Sequence, residues 1–111
     1  MNRHSIVYFV SESTAITAQT LGNSLLSQFE DVEFERHYMP YVNTVDKALE
    51  LVNELVEITR ENGEKPIVFA TMPDKDIDAL LRNAACHYYE QLSGYLKQLS
   101  EAIGVTPSYR F

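Results

Sequence analysis

A single cysteine, Cys86, in 111 residues excludes an intramolecular disulfide and any thiolate metal cluster built from one chain, and it fits a reducing cytoplasm. Basic residues are also scarce: 9 Lys and Arg face 16 Asp and Glu, a formal charge of -7. A sequence-independent grip on nucleic acid needs a basic face that displaces counterions, so no nucleic-acid partner is expected. No apolar run approaches the roughly 20 residues of a membrane span. The run after Met1-Asn2-Arg3-His4, from Ile6 to Val10, is too short for a signal peptide. The four glycines, Gly22, Gly63, Gly94 and Gly104, are too dispersed for G-x-G-x-x-G, and no Gly-Lys pair exists for a Walker A loop. Both common nucleoside-triphosphate sites are thereby excluded within this chain. His4, His37 and His87 share no ligand spacing and read as surface or partly buried residues in place of a metal site. What remains is a soluble single domain over residues 1–111, long enough to bury roughly two-thirds of its unfolded surface without metal or disulfide staples.

What is present alternates. Ile6 to Val10 is a continuous β-branched and aromatic run, as in strands buried on both faces. Ser11-Glu12-Ser13-Thr14 interrupts it, and Ile16, Leu21, Leu25, Leu26 and Phe29 then mark a helical stripe. Val32 to Met39 alternates Val32, Phe34 and Tyr38 with Glu33, Glu35 and His37, which predicts a more exposed edge strand. Thr44 is suited to cap a helix carrying Val45, Ala48, Leu49, Val52, Leu55, Val56 and Thr59 at the 3.6 period, ending near Asn62-Gly63. Its Glu50, Glu54, Glu57 and Glu61 read as a solvated face. Pro66 to Thr71 is a third, central strand; Asp74 to Ala85 a short helix with Ile77, Leu80 and Leu81 inward; Ala85 to Tyr89 a fourth strand. A final helix runs from Glu90 to Ile103 with Leu92, Leu96, Leu99 and Ile103 on one stripe, stopped by Gly104. The β-α-β-α-β-α-β-α order predicts an α/β three-layer sandwich with a four-stranded parallel sheet in order 2-1-3-4, flavodoxin- or Rossmann-like.

In such a sheet the ligand crevice lies beyond the carboxyl ends of the strands, at the switch point between the first and third. That singles out the turn Ser11 to Thr17, and Thr71. Ser11, Ser13, Thr14 and Thr17 bring hydroxyls to a helix N-terminus, where unpaired amides and the positive dipole end suit a phosphoryl group. The competing reading is that Ser11, Ser13 or Thr14 caps the helix. Glycine, which lets backbone approach phosphate closely, is missing from the turn, and Glu12 sets a like charge beside an anion unless it turns away or holds a metal ion. Cys86 and His87, adjacent in one strand, point to opposite faces, so Cys86 is expected as a buried structural thiol and no dyad forms. Tyr88, Tyr89 and Glu90 stand where they can flank the crevice.

The run from Val7 to Phe29, with Ser11-Glu12-Ser13-Thr14-Ala15-Ile16-Thr17 at its centre, resembles the start of the phosphoenolpyruvate synthetase regulatory protein family. Met39-Pro40-Tyr41-Val42, Pro66 to Thr71 and Ile103-Gly104-Val105 follow in order, so that the similarity spans essentially the whole chain. Members resemble one another in Asp-Gly-Thr-Gly or Asp-Gly-Thr-Ala after the first strand; here the stretch is Glu12-Ser13-Thr14-Ala15, with serine in place of the first glycine. The resemblance implies a bacterial bifunctional serine/threonine kinase and pyrophosphorylase. It would phosphorylate a threonine of phosphoenolpyruvate synthetase, or of pyruvate, phosphate dikinase, from ADP, and remove that phosphate with inorganic phosphate to release pyrophosphate. It also implies that the nucleotide-binding P-loop lies in a second half, making these residues an amino-terminal domain, either excised or truncated. No cofactor is then expected in this chain, no catalytic residue, and a partner-docking or regulatory role against the target enzyme and its own P-loop domain.

Three other readings stay open on the residues. Ser11-x-Ser13-Thr14-x-x-Thr17 is close to the hydroxyl-rich loop with which flavodoxins wrap the FMN phosphate, with one residue of spacing off. A receiver domain would need an acidic pair after the first strand and an Asp after the third, where Ser11-Glu12 and Thr71 stand. A purely structural interaction domain needs no ligand. An exposed second-strand edge, or an apolar surface left by a missing half, would allow homodimerisation.

Overall fold

The computed structural model describes residues 3–109, so Met1 and Asn2 of the amino-terminal stretch discussed above lie outside it. Eight elements alternate: β1 (Arg3–Ser11), α1 (Ile16–Leu26), β2 (Val32–Met39), α2 (Val45–Asn62), β3 (Ile67–Thr71), α3 (Lys75–Arg82), β4 (His87–Glu90) and α4 (Ser93–Ile103). All three strand pairings are parallel and the sheet order is β2-β1-β3-β4. This is the expected flavodoxin- or Rossmann-like α/β sandwich, with β1 and β3 inside because their side chains are apolar on both faces. Among the described residues no helix is long and apolar enough to cross a membrane.

The period-two geometry of β1 divides its side chains between two cores. Tyr8 and Val10 join Val68 and Ala70 of β3 under α2 and α3, where Leu51, Leu55, Ile77 and Leu81 close the larger core. Val7 and Phe9 join Phe69 on the opposite face, where Ala18 and Leu26 of α1 add buried apolar side chains. α2 is held at both ends: the Thr44 hydroxyl accepts from the Lys47 amide at 3.2 Å, and Gly63, at φ 73, donates its N–H to the Thr59 carbonyl. Its buried line is Ala48, Leu51 and Leu55, rotated from the predicted stripe, since Val45, Leu49 and Val56 are exposed. Glu50, Glu54, Glu57 and Glu61 are exposed, as a solvated face requires.

α1 and α4 depart further from expectation. In α1 the predicted stripe residues Ile16, Leu21 and Leu25 are exposed, as is Phe29 beyond its end, and the face toward the sheet is Ala18, Gly22 and Leu26. Small residues let the backbone approach: a Cβ on Gly22 would stand 2.5 Å from the Phe9 ring and 2.8 Å from Phe69. α4 begins at Ser93, later than predicted, and none of its residues is buried. The fourth strand likewise starts at His87, leaving Cys86 just before it. β2 is an edge strand with partial burial on both faces; His37 stacks on Tyr8 at 4.7 Å and Tyr38 on Phe9 at 5.4 Å.

Candidate functional site

β1 and β3 end side by side, with Ser11 opposite Thr71, and the chain leaves β1 toward β2 on one side and reaches β3 on the other. This is the switch point, and Ser11, Ser13 and Thr71 meet there. Thr71 and Ser11 are buried. The Thr71 hydroxyl donates to Ser11 Oγ at 3.3 Å, the Ser13 amide donates to the same oxygen at 3.0 Å, and the Ser11 and Ser13 hydroxyls stand 3.5 Å apart. Burial of hydroxyls is costly unless they are bonded, and here they bond one another. The segment after β2 completes the knot: the Tyr41 amide donates to the Ser13 carbonyl at 2.8 Å and the Val42 amide to the Ser11 carbonyl at 2.9 Å.

Glu12, Ser13 and Thr17 are half-buried and Thr14 is exposed. The residue before α1 is Ala15, in the left-handed conformation at φ 67 and ψ 5, and no side chain caps the helix there. The N-cap position is thus held by Ala15 and not by Ser11, Ser13 or Thr14. The first helical bond runs from the Gln19 amide to the Ala15 carbonyl, so the amides of residues 16–18 have no partner within the helix. Ser13 lies outside the left-handed region, which among the described non-glycine residues holds Ala15, Tyr41 and Tyr109. The serine that replaces a glycine thus sits without backbone strain, and the strained position is two residues later.

Glu90 shares this rim. Its Oε2 accepts from the Met72 amide at 3.1 Å, and its Oε1 accepts from the amides of Leu92 at 3.1 Å and Ser93 at 2.6 Å. One carboxylate thereby ties the segment after β3 to the start of α4, a bonding role that its sequence position as a crevice flank did not reveal. The signal was an acid three residues ahead of a helical run, the spacing of a side chain able to reach first-turn amides. Tyr88 is taken up elsewhere: its hydroxyl donates to Asp78 Oδ1 at 2.7 Å, and Arg82 binds Asp78 at 3.1 Å while lying over the Tyr88 ring. Burial, then the Asp78 carboxylate, raises the Tyr88 hydroxyl far above its ordinary range. Tyr89 is largely exposed.

Cys86 is half-buried, a partial correction to the expected buried thiol. Its thiol donates to the Leu81 carbonyl at 3.6 Å, and burial pushes it up to about 11. A thiol protonated at neutral pH is a poor nucleophile. His37 is engaged with Glu35 at 2.7 Å. Among the described residues no group of three or more His, Cys, Asp and Glu is arranged to hold a metal ion. The arrangement at the switch point is thus a turn of mutually bonded hydroxyls beside the amides that open α1.

A kinase/pyrophosphorylase family model matches residues 7–111. A protein of Thiocapsa roseopersicina is 49% identical over 108 residues, which are 97% of this chain and 39% of that relative. A relative from Acinetobacter baylyi is 35% identical over 102 residues, covering 92% of this chain and 37% of its own length. One from Ectopseudomonas mendocina is 36% identical over 102 residues, 92% of this chain and 38% of the relative. Each carries the name "Putative phosphoenolpyruvate synthase regulatory protein". The chain spans about two-fifths of the length of these relatives.

Proposed function

The chain belongs to the kinase/pyrophosphorylase family, and from that premise we propose that it is the amino-terminal α/β module of a phosphoenolpyruvate synthase regulatory protein. The observation that carries the reading is the match from residue 7 to residue 111, joined to 49% identity with a relative of that name. The longer protein would transfer phosphate from ADP to a threonine of the synthase, and would remove it by attack of inorganic phosphate on the phosphothreonine phosphorus, releasing pyrophosphate. Both reactions rest on positioning phosphoryl groups and neutralising their charge. The module described here would serve partner docking and regulation, with catalysis residing in the remaining part of the relatives' length.

Within that reading the Ser11–Thr17 turn is an anion seat that turns toward the phosphoryl-transfer part. Its support is that α1 opens at Ala15, a residue with no capping oxygen, next to Ser13, Thr14 and Thr17 in the chain. Helix N-termini favour phosphate through unpaired amides and the dipole. The test is made on the full polypeptide encoded by the reading frame that contains this chain. With synthase and ADP it should label a synthase threonine and release the label with inorganic phosphate, and Ser13→Ala with Thr14→Ala should raise the phosphate concentration needed for half-maximal release. A double variant with unchanged phosphate dependence overturns the anion seat. A frame without a Gly-x-x-x-x-Gly-Lys-[Ser/Thr] element and without either activity overturns the function.

A further inference from the structure

The two faces of the sheet are unequally covered. α2 and α3 close one face over the larger core, whereas α1 and α4 stand apart on the other and leave between them a groove of about 860 Å³. Its floor is Ile67, Phe69 and Tyr89, and its walls include Leu21, Leu25 and Tyr95. Leu25 is 55% exposed and Tyr95 69%. α4 carries an amphipathic stripe, yet it buries no residue, and Leu99 and Ile103 are open to solvent. Apolar side chains concentrated along two helices and a sheet face form a patch of the kind that marks an interaction surface, unlike scattered exposed leucines.

We propose that this groove seats an apolar-faced helix or loop from the part of the polypeptide that extends beyond the matched residues in the relatives, so that α1 and α4 are the interface between the two parts of the regulatory protein. Two observations select that occupant. The matched stretch is only 39% of the Thiocapsa relative, so a large covalently attached partner exists in that protein. Attachment holds such a segment at an effective concentration of about millimolar, and a helix laid into an apolar groove needs few anchors at that concentration. The groove's concavity is the second observation. A two-fold dimer must pair the same patch on both copies, and a concave floor placed against its own copy leaves the floor unfilled. The inference rests on the functional reading only for the existence of the longer polypeptide.

Hydrogen exchange on the 111-residue chain and on the full-length Thiocapsa relative tests the proposal. Amides of α1 and α4 should exchange at least about tenfold more slowly in the relative's matching helices than in this chain, while α2, already packed in both, should change little. Equal exchange of α1 and α4 in the two proteins overturns the proposal. Light scattering on the 111-residue chain supplies the second readout. A monomer at micromolar concentration agrees with the proposal. A dimer that Leu25→Glu and Tyr95→Glu each dissociate, with unchanged thermal melting of the exposed-site variants, makes a second copy the occupant and overturns it. Synthase phosphorylation by the same sample of relative keeps the readings apart. Activity without extra protection sinks the docking alone, and protection without activity sinks the function alone.

Discussion

At Ala15 the backbone adopts a conformation that disfavours any residue with a Cβ. Its φ of 67 and ψ of 5 lie in the left-handed region, which costs an L-residue roughly 1–2 kcal/mol. The methyl group is 3% exposed, so removing it forfeits about 0.8 kcal/mol of burial. The two terms oppose each other, and relief of strain is the larger. Ala15→Gly should therefore raise the unfolding free energy by about 0.5 kcal/mol, the reverse of what truncating a buried alanine elsewhere does. Urea titration of the two proteins measures it, and a loss of stability would mean that the turn does not hold the left-handed geometry. Inspection of Glu12-Ser13-Thr14-Ala15 draws the eye to Ser13 as the lost glycine, because sequence shows which residues differ and is silent on which φ each must adopt. The hydroxyl cluster itself was legible. That Ser11 and Thr71 spend their hydroxyls on each other was not, since the bond joins residues 60 positions apart.

Elements were legible where one apolar face dominates. β1 and β3 fall where their apolar runs put them, because burial on both sides leaves little choice, and α2 keeps its predicted span while its buried line turns to Ala48, Leu51 and Leu55. α1 misleads for a physical reason: its large apolar residues suggest the inward face, but helix–sheet approach is set by its smallest ones, Ala18 and Gly22, spaced by one turn and followed by Leu26. A test follows from the close approach. Helix propensity alone would make Gly22→Ala more stable by about 1 kcal/mol. The new Cβ would instead overlap the Phe9 and Phe69 rings, both held in the core and stacked 6.0 Å apart, so neither can swing away. Overpacking of that kind costs about 1–3 kcal/mol. The expected net is a loss of up to about 2 kcal/mol, with faster exchange of α1 amides. A stabilised variant would show that α1 stands farther from the sheet than described. α4 was recognisable by its stripe, yet periodicity cannot tell whether a stripe has a partner, which is why its solvent exposure emerged only from the structure.

At the scale of the whole molecule, three acidic protons among the described residues are held more tightly in the folded state than in the unfolded chain. Burial raises the Cys86 thiol to about 11. Burial, with the Glu54 carboxylate, lifts the Tyr8 hydroxyl above its usual range, and burial with Asp78 does the same to Tyr88. In each case the protonated form is the one the fold accommodates. Their contribution is complete below the unfolded pKa values, about 8.5 for cysteine and 10 for tyrosine, and is lost as pH rises through and beyond them, because the unfolded chain releases protons that the folded one retains. The urea midpoint should therefore hold level up to about pH 8 and fall progressively from about pH 9. Added salt separates the cause from general repulsion in a chain of net charge -7. Screening weakens interactions between exposed charges but does not remove the cost of burying a thiolate or phenolate, so most of the decline should persist in high salt. Cys86→Ser should delay its onset toward the tyrosine range, because the first of the three groups to titrate in the unfolded chain is gone. A midpoint that is flat to pH 11, or a decline abolished by salt, would contradict the burial described for these three side chains.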